Sequence, residues 1–183
     1  MRILVGFKTK VEEDFSGLEF SLINENKGDF TGVANAVGVN NVNGNANGVY
    51  NAVVGNGVGG NANGVYSAGG VNGIRVNANG VYSAGGVNLI FEKLRGLSIA
   101  TINYTKKLRG VQIGVLNICG EDSKGVQIGV INYRTDGRWY SRVSPVIAIR
   151  TGKKEERQKE SELVERLNVK MKEEPEKVNV SIT

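Results

Sequence analysis

The chain has 183 residues, a formal net charge of +5, no histidine and a single cysteine, Cys119. These facts exclude imidazole zinc sites, histidine-based catalytic triads, a disulfide framework and a cysteine-rich metal centre. Charge is zoned. Between Phe30 and Phe91 the only charge is Arg75; from Lys93 to Arg142 nine basic residues accompany three acidic ones; from Arg150 onward the two signs nearly balance.

Residues 1–14 are the first expected element, an N-terminal cap strand ending in the acidic run Glu12, Glu13 and Asp14. Its longest uninterrupted run of apolar residues and glycine is Ile3 to Phe7, too short for a signal-peptide core. No stretch of the chain approaches the ~18 apolar residues of a membrane helix. The expectation is a chain without a transmembrane segment or visible signal peptide, cytoplasmic by default.

Residues 15–137 repeat. NANGVY occurs at Asn45, Asn61 and Asn77, and the same phase gives a glycine column: Gly17, Gly32, Gly48, Gly64, Gly80, Gly96, Gly110 and Gly125. An aliphatic follows each glycine, and a small residue comes four positions after it. Seven or eight residues after each glycine stands an asparagine: Asn24, Asn40, Asn56, Asn72, Asn88, Asn103, Asn117 and Asn132. Each 14–16-residue unit therefore splits into two halves, each with room for a short strand and a turn but not for a helix of ordinary length. In GVQIGVLN and GVQIGVIN the alternation puts Val111, Ile113 and Val115 on one face.

An antiparallel meander closing into a barrel and a parallel β-solenoid both accommodate two short strands per unit. The solenoid is the better reading. Its coils stack ~4.8 Å apart, so identical residues lie directly above one another and columns are selected. The expected fold is all-β: about eight coils, roughly 35–40 Å of rod at that spacing. The glycines suit a turn with positive φ or a corner too tight for a Cβ. The asparagines suit a ladder of stacked amides satisfying one another. Tyr50, Tyr66 and Tyr82, two after the glycine, are expected as a three-ring stack on the outside.

After Asn132 the period fails. Residues 138–183 are expected to form a C-terminal cap or extension: a strand or strand pair over Trp139 to Arg150, a helix from Lys153 to about Leu167, and a hairpin around Glu174-Pro175. Such ends would cover edges that otherwise invite stacking with other molecules.

The stretch Leu94 to Tyr133, with RGVQIGVLN and KGVQIGVIN, resembles the bacterial surface-repeat families built from units of about 15 residues of the form Gly-aliphatic-Gln-aliphatic-Gly-aliphatic-aliphatic-Asn. The resemblance covers roughly 40 residues closely, and the rest only in period and in the two columns. It implies a cell-surface location. The period and the Tyr column also look like bacterial ice-nucleation repeats, but the Thr-x-Thr arrays are missing. The β-roll heads of trimeric adhesins are similar in period, but the coiled-coil stalk is missing.

No catalytic residue, metal ligand or cofactor is expected. Acidic residues in the regular coils are scattered, and GNGVGGN fits neither nucleotide-binding glycine motif in a strand-to-helix setting. Cys119 reads as a small buried residue. The position before the glycine changes from Asn47, Asn63 and Asn79 to Arg95, Arg109 and Lys124, a basic stripe placed in turns along the later coils. The expected function is a non-enzymatic structural or protein-interaction module. The alternative is binding of an anionic surface or polymer (lipid, acidic glycan or nucleic acid) through the stripe, or through the Tyr column. A polysaccharide-acting enzyme is a remote third reading. The partner is not named by the sequence, and oligomers are compatible with it.

Overall fold

The computed structural model describes residues 2–120, 122–135 and 142–151. Within them the chain forms thirteen strands and no helix. Successive passes run parallel with like residues opposite one another: Gly32 pairs with Gly17 and Gly48, and Asn40 with Asn24 and Asn56. The fold is a β-solenoid of about eight stacked coils.

Each coil has two sides. In the middle of the stack, β4 (Ala46–Ala52), β6 (Ala62–Ala68) and β8 (Asn77–Ala84) carry the glycine column, while β5 (Gly55–Val58) and β7 (Val71–Ile74) carry the asparagine column. Towards the ends, long strands bend round a corner and serve both sides: β1 (Arg2–Val11), β2 (Phe15–Asn26), β3 (Phe30–Val42), β9 (Val87–Ile99), β10 (Ile102–Ile113) and β12 (Lys124–Arg134). A short β11 (Leu116–Cys119) lies between β10 and β12 on the asparagine side. At the N-terminal side β1 forms a further rung, joining β2 in parallel register with Arg2 opposite Gly17.

The glycine column does not sit in turns, as expected, but in mid-strand. Gly64 has φ 126°, and a Cβ there would drive into the carbonyl oxygen of Gly48. A side chain at this point is excluded by the rung beneath as well as by the backbone conformation. The column glycines are half-exposed, and Gly96 is exposed; the positions two residues to either side of them face a shared compartment inside the coil. In most coils one large side chain fills it, while the coils of Phe15 and Leu108 hold a second, Glu19 and Gln112. Phe15 and Phe30 enter from two residues before the glycine; Tyr50, Tyr66 and Tyr82 from two after; Leu94 and Leu108 again from two before. The opposite entrance is alanine where an aromatic ring comes in from Phe30 to Tyr82: Ala34 with Phe30, and Ala46, Ala62 and Ala78 with the tyrosines.

The tyrosines are thus core residues, at most 1% exposed, and the outside ring stack expected from the sequence is corrected. Ring centroids run 5.5, 5.4, 4.6 and 5.0 Å apart from Phe15 through Phe30, Tyr50 and Tyr66 to Tyr82. The column of rings is continuous although it changes entry point. Each phenol donates to the coil below: Tyr50 to the Phe30 carbonyl at 3.0 Å, Tyr66 to Ala46 at 2.7 Å, Tyr82 to Ala62 at 2.5 Å. Burial pushes all three phenols far above their ordinary pKa, so they remain hydrogen-bond donors. Outward parity falls to the residues one and three after the glycine. Val111 and Ile113 therefore share the outer face, while Gln112 and Gln127 point into the core.

On the other side the asparagine column is fully internal, and two residues later Val42, Val58, Ile74, Ile90, Thr105 and Cys119 build a second buried, mostly apolar column. Burial of each Ile or Val contributes on the order of 1.5–3 kcal/mol. The ladder is bonded from end to end. Each Nδ2 donates to the Oδ1 of the next asparagine, from Asn24 to Asn40 at 2.6 Å through to Asn117 to Asn132 at 2.9 Å. Thr9 Oγ1 donates to the first carbonyl oxygen, and the last amide donates to the Ser144 carbonyl.

At the far end β13 (Val143–Thr151) pairs antiparallel with β12. Its Arg150 is buried and lies across the end of the core, donating from Nε to Gln127 Oε1 at 3.0 Å, while Gln127 donates to Gln112. The expected strand over Trp139 to Arg150 is therefore present as Val143–Thr151; Trp139, the helix and the hairpin lie outside the described residues.

Candidate functional site

Arg95, Arg109 and Lys124 are brought together, but not in turns. Asn79, Arg95 and Arg109 are paired rung by rung on β8, β9 and β10. Lys124 falls at the same level on β12, two residues before Val126, which pairs with Val111. The strand period then fixes their neighbours, because residues i, i+2 and i+4 share a face. Each cation heads a row: Arg95–Leu97–Ile99, Arg109–Val111–Ile113 and Lys124–Val126–Ile128. All three rows lie on the outer face of the glycine side. Register continues the face onto β13, where Ile149 lies opposite Val126 and Ile147 opposite Ile128, 72% and 56% exposed. A second basic column, Lys93 opposite Lys107, stands two residues before the first.

The result is a patch with cations along one margin and eight aliphatic side chains beside them. Neighbouring rungs at ~4.8 Å put like charges close together. Lys106 forms an exposed ion pair with Glu92 at 3.3 Å, outside this column. Of the acidic residues next to Lys124, Glu121 lies outside the described residues and Asp122 is described, with φ 55°.

In the preceding coils the same outer positions are polar and bonded to one another. Asn63 donates to Asn47 and Asn79 to Asn63, both at 2.8 Å. A parallel surface ladder joins Asp29, Asn45, Asn61 and Asn77. Asn47, expected in a turn, is thus a strand residue within a ladder. These outer ladders explain why asparagine dominates the neutral zone: half-buried positions on the outside of the coils gain lateral hydrogen bonds with little charge.

Among the described residues no three His, Cys, Asp or Glu side chains are grouped so as to hold a metal ion, and no helix is long and apolar enough to cross a membrane. Tyr50, Tyr66 and Tyr82 are sealed in the core and are withdrawn as ligand-binding residues. The eight ladder asparagines are structural, each bonded as described above.

The chain matches no protein-family model, no curated protein and no solved structure. The resemblance to surface-repeat families rests on the GVQIGV units alone.

Proposed function

We propose that this chain is a non-enzymatic interaction module that docks on an anionic lipid surface through the outer face of its last three coils. The supporting observation is the coincidence, on adjacent rungs, of the Arg95–Arg109–Lys124 column with the rows of Leu97, Val111, Val126, Ile99, Ile113 and Ile128. The like charges of Arg95 and Arg109, paired at rung spacing, are relieved by a facing surface of opposite sign. The aliphatic rows enter the boundary between head groups and acyl chains, as the apolar face of an interfacial element does. A purely hydrophilic polyanion has no use for those rows.

The test is co-sedimentation of the full chain with vesicles of phosphatidylserine and phosphatidylcholine, against phosphatidylcholine alone. Binding is expected to the anionic vesicles only and to weaken steeply between about 50 and 200 mM salt. The variant R95Q/R109Q/K124Q should lose it while keeping the wild-type circular dichroism. Failure of the wild type to bind, or binding that survives both the triple change and high salt, overturns the proposal.

A further inference from the structure

A second surface lies on the opposite side of the coils, over the neutral zone. Asn41, Asn43, Arg75 and Phe91 converge on a cleft of about 290 Å³ whose floor is Gly57, Val58, Gly59 and Gly73. That volume is at the low end of small-ligand clefts, about 300–1,000 Å³, the scale of one ring with its substituents.

Two features single it out. The first is the state of the asparagines. Among the described residues every asparagine side chain is hydrogen-bonded, in a ladder or to Glu19, except Asn41 and Asn43. The two free amides stand at one rim of this cleft. The second is Arg75, the single charge between Phe30 and Phe91. Its side chain is exposed and makes no ion pair or hydrogen bond among the described residues, while its backbone N–H is fixed to the Val58 carbonyl at 2.9 Å. Across from the amides, Phe91 is 51% exposed and its ring meets Tyr104 edge-on at 6.3 Å, which sets its direction.

The floor is open for no reason internal to the fold. The outward position after the ladder asparagine is Asn41, Gly57, Gly73, Leu89, Tyr104 and Ile118 along the stack. Gly73 has no positive φ, and a Cβ there would meet nothing within 4 Å; one at Gly57 would meet only Asn41 Oδ1, at 3.1 Å. Glycine weakens a strand, and within one it marks a close approach by a ligand or another backbone.

We propose that this cleft binds a uronic-acid residue of an acidic glycan. The carboxylate pairs with the Arg75 guanidinium, which takes planar anions bidentately. The apolar face of the sugar ring lies against Phe91 and the bare Gly57–Gly73 backbone. The Asn41 and Asn43 amides, donors and acceptors at once, meet adjacent hydroxyls. One cation in a long neutral stretch suits a ligand with one charge per ring. A nucleic-acid strand would need several phosphates neutralised. This inference is independent of the lipid-facing patch, whose residues it does not share.

The experiment titrates tetragalacturonate into the isotope-labelled full chain and follows amide shifts. Wild type should show saturable shifts confined to residues around Gly57, Gly73, Arg75 and Phe91, and maltotetraose, the neutral counterpart, at least about tenfold weaker binding. R75Q should weaken tetragalacturonate about tenfold, the loss of one charge-assisted pair. G73V fills the floor where open space allows it. It should abolish the shifts while the rest of the spectrum and the Tm are retained or improved. No saturable shift in the wild type overturns the proposal. So does equal binding by R75Q and G73V, tighter binding of an oligothymidylate than of the uronate, or a concentration-dependent dimer whose contact both variants abolish.

Discussion

Asn72→Ala tests whether the internal ladder holds the stack together. Asn72 is fully buried. Its amide donates to Asn88 Oδ1 at 2.9 Å and to the Ser83 carbonyl at 2.8 Å, and its carbonyl accepts from Asn56 at 2.9 Å. Removing it leaves one N–H of Asn56 and the Oδ1 of Asn88 without a partner. Each stranded buried group costs about 1–3 kcal/mol, and the space vacated by the amide adds to this, so the expected loss is about 3–5 kcal/mol. Asn63 is the matched control. It makes the same two ladder bonds, to Asn47 and from Asn79, but on the half-exposed outer face where water replaces what is lost. Asn63→Ala should cost under about 1 kcal/mol. Urea unfolding followed by far-UV circular dichroism reads both, through the midpoint at constant slope. Similar losses at the two positions, or a loss below about 1 kcal/mol at Asn72, would refute the reasoning that burial gives the ladder its worth.

A second prediction concerns Glu19, which is buried between Leu4 and Ala34 in its column and accepts from Asn26 Nδ2 at 2.8 Å, while Glu19 Oε1 and Asn26 Oδ1 have no partner. Burial pushes its carboxyl above the ordinary range, more than the Asn26 bond lowers it; protonated, its O–H can donate to Asn26 Oδ1 and close an acid–amide pair. Because the folded pKa is the higher one, this stabilisation is complete below the unfolded value of about 4.3 and is lost as pH rises towards the folded value, by up to about 1.4 kcal/mol per unit. Denaturation midpoints should fall across that window in the wild type, and Glu19→Gln, which supplies the N–H permanently, should flatten the profile; an unchanged profile sinks the idea. Third, Gly64→Ala should prevent folding or cost more than about 3 kcal/mol, through strain plus collision with the Gly48 carbonyl, whereas Gly73→Ala should be neutral or stabilising; equal effects in thermal melts would show that the glycine column is not a steric requirement.

The period, the two columns and the parallel stack were legible because register couples each residue to its copy one coil away. The parity was not. Valine after the glycine looks like the core residue and tyrosine like the surface one, until the positions two residues to either side of the glycine are seen to share a compartment of ring size. Gln112 and Gln127 are buried for the same reason: they share the parity of Tyr66, and Arg150 from β13 arrives to bond Gln127. The basic residues were legible as a column but not as strand residues, because the corners lie elsewhere. In the cleft, Arg75 stood out as a lone charge and Gly57 and Gly73 interrupted a side-chain column. What no spacing could show was that Asn41 and Asn43 alone of the described asparagines go unbonded.

The shared ring compartment has a bearing on how such a chain can lengthen. In a closed barrel the strand number is fixed by geometry. Here the coil beginning at Ala62 meets the same shapes above and below: an alanine entrance, a tyrosine whose hydroxyl reaches one coil down, and an asparagine donating one coil up. A tandem duplication of its sixteen residues, Ala62 to Asn77, would insert a rung that satisfies every neighbour and leaves both ends as they are. Each such event lengthens the rod by ~4.8 Å. The identical NANGVYSAGG copies at Asn61 and Asn77 are what copying of one unit would leave. Length in such a stack can change by whole coils without altering the contacts at either end.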